Sequence, residues 1–233
     1  MPSKKKIVVL SGSGIRAESG LSTFRDSGGL WEGYNINEVA TPDGWETNPK
    51  LVLDFYNHRR KQAGKAEPNR AHHALAELES FFEVQIVTQN VDDLHERAGS
   101  TNVLHLHGEL TKARSIENEN LVIDIGTSPI HIGDVGPDGK QLRPHIVWFG
   151  EMVPMLERGA QIVDKADVLV VIGTSLVVYP AASLIHYAPD SCMKYIIDPS
   201  NPELYSFDGW IHIKEPATSG IEKLITELEK DHG

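Results

Sequence analysis

The sequence predicts an α/β protein: a mostly parallel sheet with helices on both faces, plus a small inserted lobe. Two observations carry that expectation. Short runs rich in β-branched residues (Ile7 to Leu10, Val84 to Thr88, Val103 to Leu106, Val168 to Ile172 and Tyr195 to Ile197) recur with helical stretches between them, as buried parallel strands joined by crossover helices do. One segment breaks the rhythm: Ser115 to Arg143 is rich in Gly, Asp and Asn and reads as an insertion.

Along the chain, Lys4, Lys5 and Lys6 precede the first strand and read as a solubilising start. Leu51 to Gln62 and Ala71 to Phe82 read as amphipathic helices, the second opened by Pro68-Asn69 with Asn69 as its N-cap. Within the insertion, aliphatic residues from Leu121 to Val135 and the turn signal Pro137-Asp138-Gly139 predict hairpins beside the main sheet. There is no internal repeat or low-complexity tract.

At 233 residues, 40% hydrophobic and 24% charged, the chain has the size and composition of one globular domain with a sizeable core. A net charge of -11 argues against nucleic acid, because phosphate neutralisation needs a basic face. No signal-peptide pattern is seen at the N-terminus, and no apolar run approaches the ~20 residues that span a bilayer. A cytoplasmic monomer without membrane contacts is expected. The single cysteine, Cys192, fits a reducing compartment and a packing role, and one thiol cannot build a cysteine metal cage.

The chemistry begins after the first strand. Ile-Val-Val-Leu-Ser-Gly-Ser-Gly-Ile-Arg-Ala sets Gly12, Ser13, Gly14 and Ile15 at its carboxyl end, where a tight turn lets backbone approach a pyrophosphate in a Rossmann-like sheet. Ala17-Glu18-Ser19-Gly20 and Thr23-Phe24-Arg25 extend the run beyond what a hydride-transfer enzyme needs. Thr88-Gln89-Asn90-Val91-Asp92 then ends a later strand, followed by Asp93-Leu94-His95 and Ala98-Gly99. Leu104-His105-Leu106-His107-Gly108 carries two histidines at period two, which on a strand would share one face.

In these motifs, and in their order, the chain resembles the sirtuins over nearly its whole length. Ser13 and Arg16 depart from the family's opening motif, and Arg16 would put a cation near the phosphates. The resemblance implies an NAD site drawn from Gly12, Ser13, Gly14, Ile15, Glu18, Phe24, Arg25, Trp31, Gln89, Asn90, Asp92, Gly173, Thr174, Ser175, Asp198, Pro199, Ser200 and Ala217. Asn90 would position the nicotinamide ribose or a water, and Gln89 would touch the ribose hydroxyls. Asp92 would hold the carboxamide, and Asp198 stands where the family often has Asn against the adenine ribose. His107, immediately before Gly108, would be the general base, since an imidazole with a reference pKa of ~6.5 accepts a proton near neutrality. His72, His73, His95 and His105 read as structural.

The implied reaction is removal of acyl groups from lysine. The acyl oxygen attacks C1′ of the nicotinamide ribose as nicotinamide leaves, and His107 takes a ribose hydroxyl proton. Val147-Trp148-Phe149-Gly150-Glu151 resembles the strand that pairs with an extended acyl-lysine peptide, Val147, Phe149, Gly150 and Glu151 being the implied contacts, and Val177 to Ala181 continues the likeness. Tyr56 and Arg59, at i and i+3 after Ala40, resemble the subgroup that removes succinyl and malonyl groups, with Arg59 reading the acyl carboxylate. No zinc is expected, because Ser115 takes the first position of the family's cysteine set and the insertion has no cysteine. The expected division is one domain over 1–233. Residues 1–33, 84–110 and 144–233 would form the Rossmann-like part, 34–83 the helical part of the small lobe, and 111–143 the β-rich insertion. Protein ADP-ribosylation, a silent NAD-binding module and, most weakly, a dehydrogenase remain the alternatives.

Overall fold

The computed structural model describes residues 4–22, 30–31, 33–201 and 208–230. In chain order, β1 (Lys6–Ser11) leads into a 3₁₀ turn, Ser13–Ser19, then the short strands β2 (Leu30–Trp31) and β3 (Tyr34–Asn35). Helices α1 (Ile36–Val39), α2 (Pro42–Thr47), α3 (Pro49–Ala63) and α4 (Arg70–Leu78) follow, then β4 (Glu83–Thr88), α5 (Leu94–Arg97) and β5 (Val103–His105). The insertion gives β6 (Gly108–Ser115), β7 (Val122–Asp124) and β8 (Leu142–Ile146). The chain returns through α6 (Leu156–Val163), β9 (Val168–Ile172), a second 3₁₀ turn (Ala181–Tyr187), β10 (Met193–Ile197), β11 (Trp210–Ile213) and α7 (Ala217–Lys230).

The main sheet runs β11-β10-β9-β1-β4-β5 with every pairing parallel. It is the α/β sheet that the strand runs predict. Its central strands bury both faces, which is why they read as continuous apolar runs. Ile7, Val9, Val168 and Val170 pack under α4 and α7, while Val8, Leu10, Leu169 and Val171 pack under the segments around α6 and the second 3₁₀ turn. At about 1.5 to 3 kcal/mol per fully buried large side chain, this two-faced core is the main source of stability.

The chain order reverses at β1, which has β4 on one side and β9 on the other. Ser11 is in register with Thr88 and with Ile172. The loops leaving β1, β4 and β9 therefore diverge side by side at the switch point of the sheet, where α/β folds form ligand crevices.

Two expected elements differ in extent. The Asn69 side chain caps α4 by accepting from Ala71 N at 3.0 Å, as its sequence predicts, but the helix ends at Leu78 and residues 79–82 turn instead. Ala71, Ala74, Leu75 and Leu78 of α4 pack against the main sheet. The helical share of the small lobe therefore stops before α4 and does not extend to residue 83.

The insertion is a three-stranded antiparallel sheet, order β7-β6-β8, and it reaches from Gly108 to Ile146, wider than 111–143. The Pro137-Asp138-Gly139 turn forms as predicted, with Gly139 at φ +73° and its N–H donating to Gly136 O at 2.9 Å. α3 closes the lobe through Leu53 packed with Ala113, Ile130 and Leu142. Asn57 and Ile130 exchange hydrogen bonds of 2.8 and 2.9 Å. Ser115 is the centre of a knot: its Oγ donates to Asp138 Oδ2 at 2.5 Å and accepts from Glu117 N at 3.1 Å and Asn118 N at 3.3 Å. Side-chain and backbone hydrogen bonds thus fasten the turn at the head of β6. No helix among the described residues is long and apolar enough to cross a membrane.

Candidate active site

A cavity of about 440 Å³ opens over the carboxyl ends of β1, β4 and β9 and extends between the main sheet and the small lobe. Its wall is made by the glycine turn after β1, Gln89 and Asn90 after β4, His107 after β5, residues 146–149 after β8, and Gly173 to Ser175 after β9.

The glycines permit the two central loops to touch. Gly14 N donates to Gly173 O at 2.7 Å, and a Cβ on Gly14 would stand 2.7 Å from Gly173 Cα. Gly173 is at φ +63°, and its own Cβ would come within 2.2 Å of Ile15 N. The N–H groups of Gly12, Gly14 and Ile15 are all bonded within the protein. The turn therefore offers a dinucleotide close backbone approach more than open donors.

Asn90 is 5% exposed and tightly held. Its Nδ2 donates to Gly12 O at 3.0 Å, and its N–H donates to Thr88 Oγ1 at 3.0 Å. Thr88 Oγ1 also accepts from Ser11 Oγ at 2.8 Å, so the Ser11 oxygen is left to accept from His95 Nε2 at 2.9 Å. His95 therefore supports β1 and β4 from beneath. The Gln89 side chain reaches Thr174 Oγ1 at 3.3 Å, linking the second and third loops.

His107 lies in a bend after β5, which ends at His105, so the two histidines do not sit on one strand as expected. They nevertheless reach successive carbonyls. His105 Nδ1 is 2.9 Å from Asn90 O and its Nε2 is 2.8 Å from Glu96 Oε1, while His107 Nδ1 is 3.2 Å from Gln89 O. Burial lowers the His107 pKa below its ordinary value, with the Gln89 bond opposing. For His105, burial is outweighed by its bond to Glu96 and the pKa is raised. One ring is biased toward the neutral form at the cavity; its neighbour is biased toward the charged form by its bond to Glu96.

Asp92 and Arg16 form a second centre beside the cavity. Arg16 lines it, whereas Asp92 lies behind the wall: Arg16 Nη1 meets Asp92 Oδ2 at 2.6 Å, with both side chains buried. Burial works against the Asp92 charge, but the Arg16 guanidinium, by charge and hydrogen bond, holds its pKa below the ordinary value. Arg16 is thus engaged by a carboxylate rather than standing as an uncommitted cation for phosphates.

Most of the residues named from the sequence meet at this cavity: Gly12, Ser13, Gly14, Glu18, Gln89, Asn90, His107, Val147, Phe149, Glu151, Gly173, Thr174, Ser175, Val177, Asp198, Pro199, Ala217 and Tyr56. Ile15 is instead core, fully buried against the face covered by α4 and α7. Ser200 stands behind Asp198, giving its N–H and Oγ to Asp198 Oδ1 at 2.8 and 2.5 Å. Glu18 caps α7, accepting from Thr218 N and Oγ1 at 3.1 and 2.6 Å. Phe24 and Arg25 lie outside the described residues, and Trp31 is described only as part of β2.

Three expectations about substrate residues change. Val147 to Glu151 is a turn after β8, not an edge strand. Its N–H groups are already engaged: Val147 by His107 O, Phe149 by Ala40 O, both at 2.9 Å, and Trp148 by Glu151 Oε2 at 2.8 Å. The Glu151 carboxylate also holds Arg143 at 2.8 Å, so its role is to fasten this turn, and Gly150 is outside the cavity wall. Finally, Tyr56 is on the wall but Arg59 is not: Arg59 is 4% exposed, with its guanidinium 5.6 Å from the Phe55 ring centroid. Ile146, Val153 and Pro216 also line the site, and no sequence motif singled them out. Among the described residues no group of three or more His, Cys, Asp or Glu side chains is placed to hold a metal.

A model described as Sir2 family matches residues 12–180, a span that begins at the glycine turn and includes Asn90, Asp92, His107 and Thr174. The chain belongs to the Sir2 family. A Helicobacter pylori (strain J99) protein named NAD-dependent protein deacylase is 57% identical over 224 residues, covering 96% of this chain and 95% of the relative. A Bacteroides thetaiotaomicron protein of the same name is 50% identical over 225 residues, covering 94% and 96%. Among solved structures, a Sir2 homolog in complex with NAD superposes with a TM-score of 0.86 at 38% identity, covering 99% of this chain and 91% of that one. A variant Sir2 homologue in complex with ADP-ribose gives 0.87 at 38% identity, covering 98% and 93%. The Sir2 model ends at Pro180, so Asp198, Pro199 and Ala217 join the site through the fold and not through that match.

Proposed function

We propose that this Sir2 protein is an NAD-dependent protein-lysine deacylase in which His107 is the general base. The observation that supports this most is the orientation of the His107 ring: with Nδ1 at the Gln89 carbonyl, the lone pair on Nε2 is left for the cavity it shares with Asn90. Bound NAD supplies an electrophilic ribose carbon with nicotinamide as leaving group, so that acyl-lysine, NAD and water yield nicotinamide, free lysine and O-acyl-ADP-ribose. The cavity fits that co-substrate in kind: touching glycine loops at one part of the wall and a carboxylate, Asp198, suited to ribose hydroxyls at another.

In this reading Asn90 holds the reacting ribose or its water, oriented by the Gly12 carbonyl, and Asp92, bonded to the lining residue Arg16, steadies the nicotinamide end. The acyl-lysine enters along the apolar wall of Val147, Phe149 and Val177. His107 Nε2 takes a proton from a ribose hydroxyl so that the acyl group moves to the sugar. Orientation and exclusion of water supply much of the acceleration.

The finer reading is that succinyl and malonyl groups are accepted as well as acetyl. It is supported by Tyr56 and Ala40 on the wall and by an Arg59 cation near enough to oppose the effect of burial on the Tyr56 hydroxyl. Incubation with NAD and a panel of acetyl, succinyl, malonyl and long-chain acyl peptides tests both levels. Deacylated peptide with O-acyl-ADP-ribose supports the activity; ADP-ribose found on the peptide instead would make the protein an ADP-ribosyltransferase.

A further inference from the structure

The Asp92 carboxylate is 2% exposed and is faced by three ionisable side chains from three elements: Arg16 of the 3₁₀ turn after β1, His72 of α4 and His95 of α5. The two histidines are fully or almost fully buried, and their rings lie 5.0 Å apart. Each is committed on one nitrogen. His72 Nδ1 closes the capping box with Asn69, and His95 Nε2 bonds Ser11 Oγ. Their other nitrogens, His72 Nε2 and His95 Nδ1, have no hydrogen-bond partner among the described residues, and neither has Arg16 Nε. A buried carboxylate ringed by uncommitted imidazole nitrogens needs one positive neighbour. Here Arg16 supplies it, bonded to Asp92 at 2.6 Å.

We infer that Arg16 is a positioning residue for the reaction: lining the cavity and bonded to Asp92 behind it, it is the permanent counterion that keeps this carboxylate charged and aimed. Without Arg16, that duty falls first to His95, whose Nδ1 is free to bind a proton, and to His72 only at the expense of the bond its Nδ1 accepts from Asn69 N–H. Burial drives the pKa of both histidines down, to about 4 for His72 and about 3 for His95, as it would for imidazoles relieved of a charge-balancing role. A guanidinium stays protonated across the whole working range, so the ionisation of this pair does not vary with pH near neutrality. A histidine counterion would make it vary. The argument rests on Asp92 serving the nicotinamide end of the NAD site.

The test compares wild type, Arg16→Ser and Arg16→Lys by NMR titration of the histidine rings and by the pH profile of nicotinamide release. In wild type, His72 and His95 should stay neutral down to about pH 5. In Arg16→Ser at least one should titrate with its pKa raised by about one to three units, the range an adjacent carboxylate produces once the competing cation is gone. Release by Arg16→Ser should then gain a limb along which the rate falls as pH rises, because the new counterion is lost on deprotonation. Arg16→Lys should restore the wild-type profile, which a merely structural role would not require. If both histidines stay silent in a folded Arg16→Ser, Arg16 is not the counterion; where the serine variant does not fold, Arg16→Gln takes its place in both measurements with the same outcomes. A histidine response with an unchanged release profile also overturns the proposal, but at the other link: Asp92 would then lie outside the NAD site.

Discussion

Nδ1 of His107 stands 3.2 Å from the carbonyl oxygen of Gln89. A carbonyl only accepts, so the ring proton belongs on Nδ1 and the basic lone pair on Nε2. The same contact ties the ring to the end of β4, one residue from Asn90. Replacing His107 with Ala should lower deacylation by at least about a hundredfold while leaving the fold intact, since a positioned general base contributes ~10² to 10⁴ in rate. Near-normal turnover would move the base elsewhere.

The pH dependence follows from the direction of the His107 shift. Burial lowers its pKa, and in the proposed mechanism the neutral ring is the active form. The acyl-transfer rate should therefore rise with pH through a value below the ordinary ~6.5 and be flat above neutrality. A single-turnover profile measures it. A limb centred above the ordinary value would mean that His107 is stabilised as a cation.

Asn90 acts earlier. With its amide fixed on Gly12 O at 3.0 Å, Asn90→Ala should lose nicotinamide release itself, together with deacylation. Exchange of labelled nicotinamide into NAD separates the two steps. Native-rate exchange in this variant would show that Asn90 is not at the reacting ribose.

The Ser115 knot gives a stability prediction. Ser115→Ala removes the acceptor of two backbone N–H groups and should destabilise the protein by about 1 to 3 kcal/mol, read from urea unfolding. Chelators should leave both the melting temperature and activity unchanged. Stoichiometric zinc whose removal lowers the melting temperature would contradict this picture of the insertion.

Much of this architecture was legible in the chain because local signals and tertiary context agree. Val168 to Ile172 is apolar on both faces and became the buried strand β9 with the same bounds; Asn69 after Pro68 capped a helix as its chemistry dictates. The edge strand β11, Trp-Ile-His-Ile, was not legible, since half-exposed residues beside a sheet edge leave no continuous apolar run. The Val147 to Glu151 turn was misread as a strand because its β-branched and aromatic residues suit either. What made it a turn is the Glu151 carboxylate reaching back to Trp148 N. The Arg16–Asp92 pair joins residues 76 positions apart, and only the adjacency of β1 and β4 brings them together.

Arg59 bears on acyl choice. It does not line the cavity itself, but its neighbour on α3, Tyr56, does. Arg59→Met should raise KM for succinyl-lysine peptide by a factor equivalent to about 1.5 to 3 kcal/mol, the range of a hydrogen bond to a charged group, with acetyl-lysine turnover little changed. Equal losses on both substrates would make Arg59 a support of the small lobe.

The most direct measurement is a product balance for the wild-type protein with an acyl-lysine peptide and NAD, resolved by mass spectrometry. The account predicts one nicotinamide and one O-acyl-ADP-ribose for each lysine freed, with all three lost together in His107→Ala. Lysine freed without consumption of NAD, or NAD consumed with ADP-ribose left on the peptide, would contradict it.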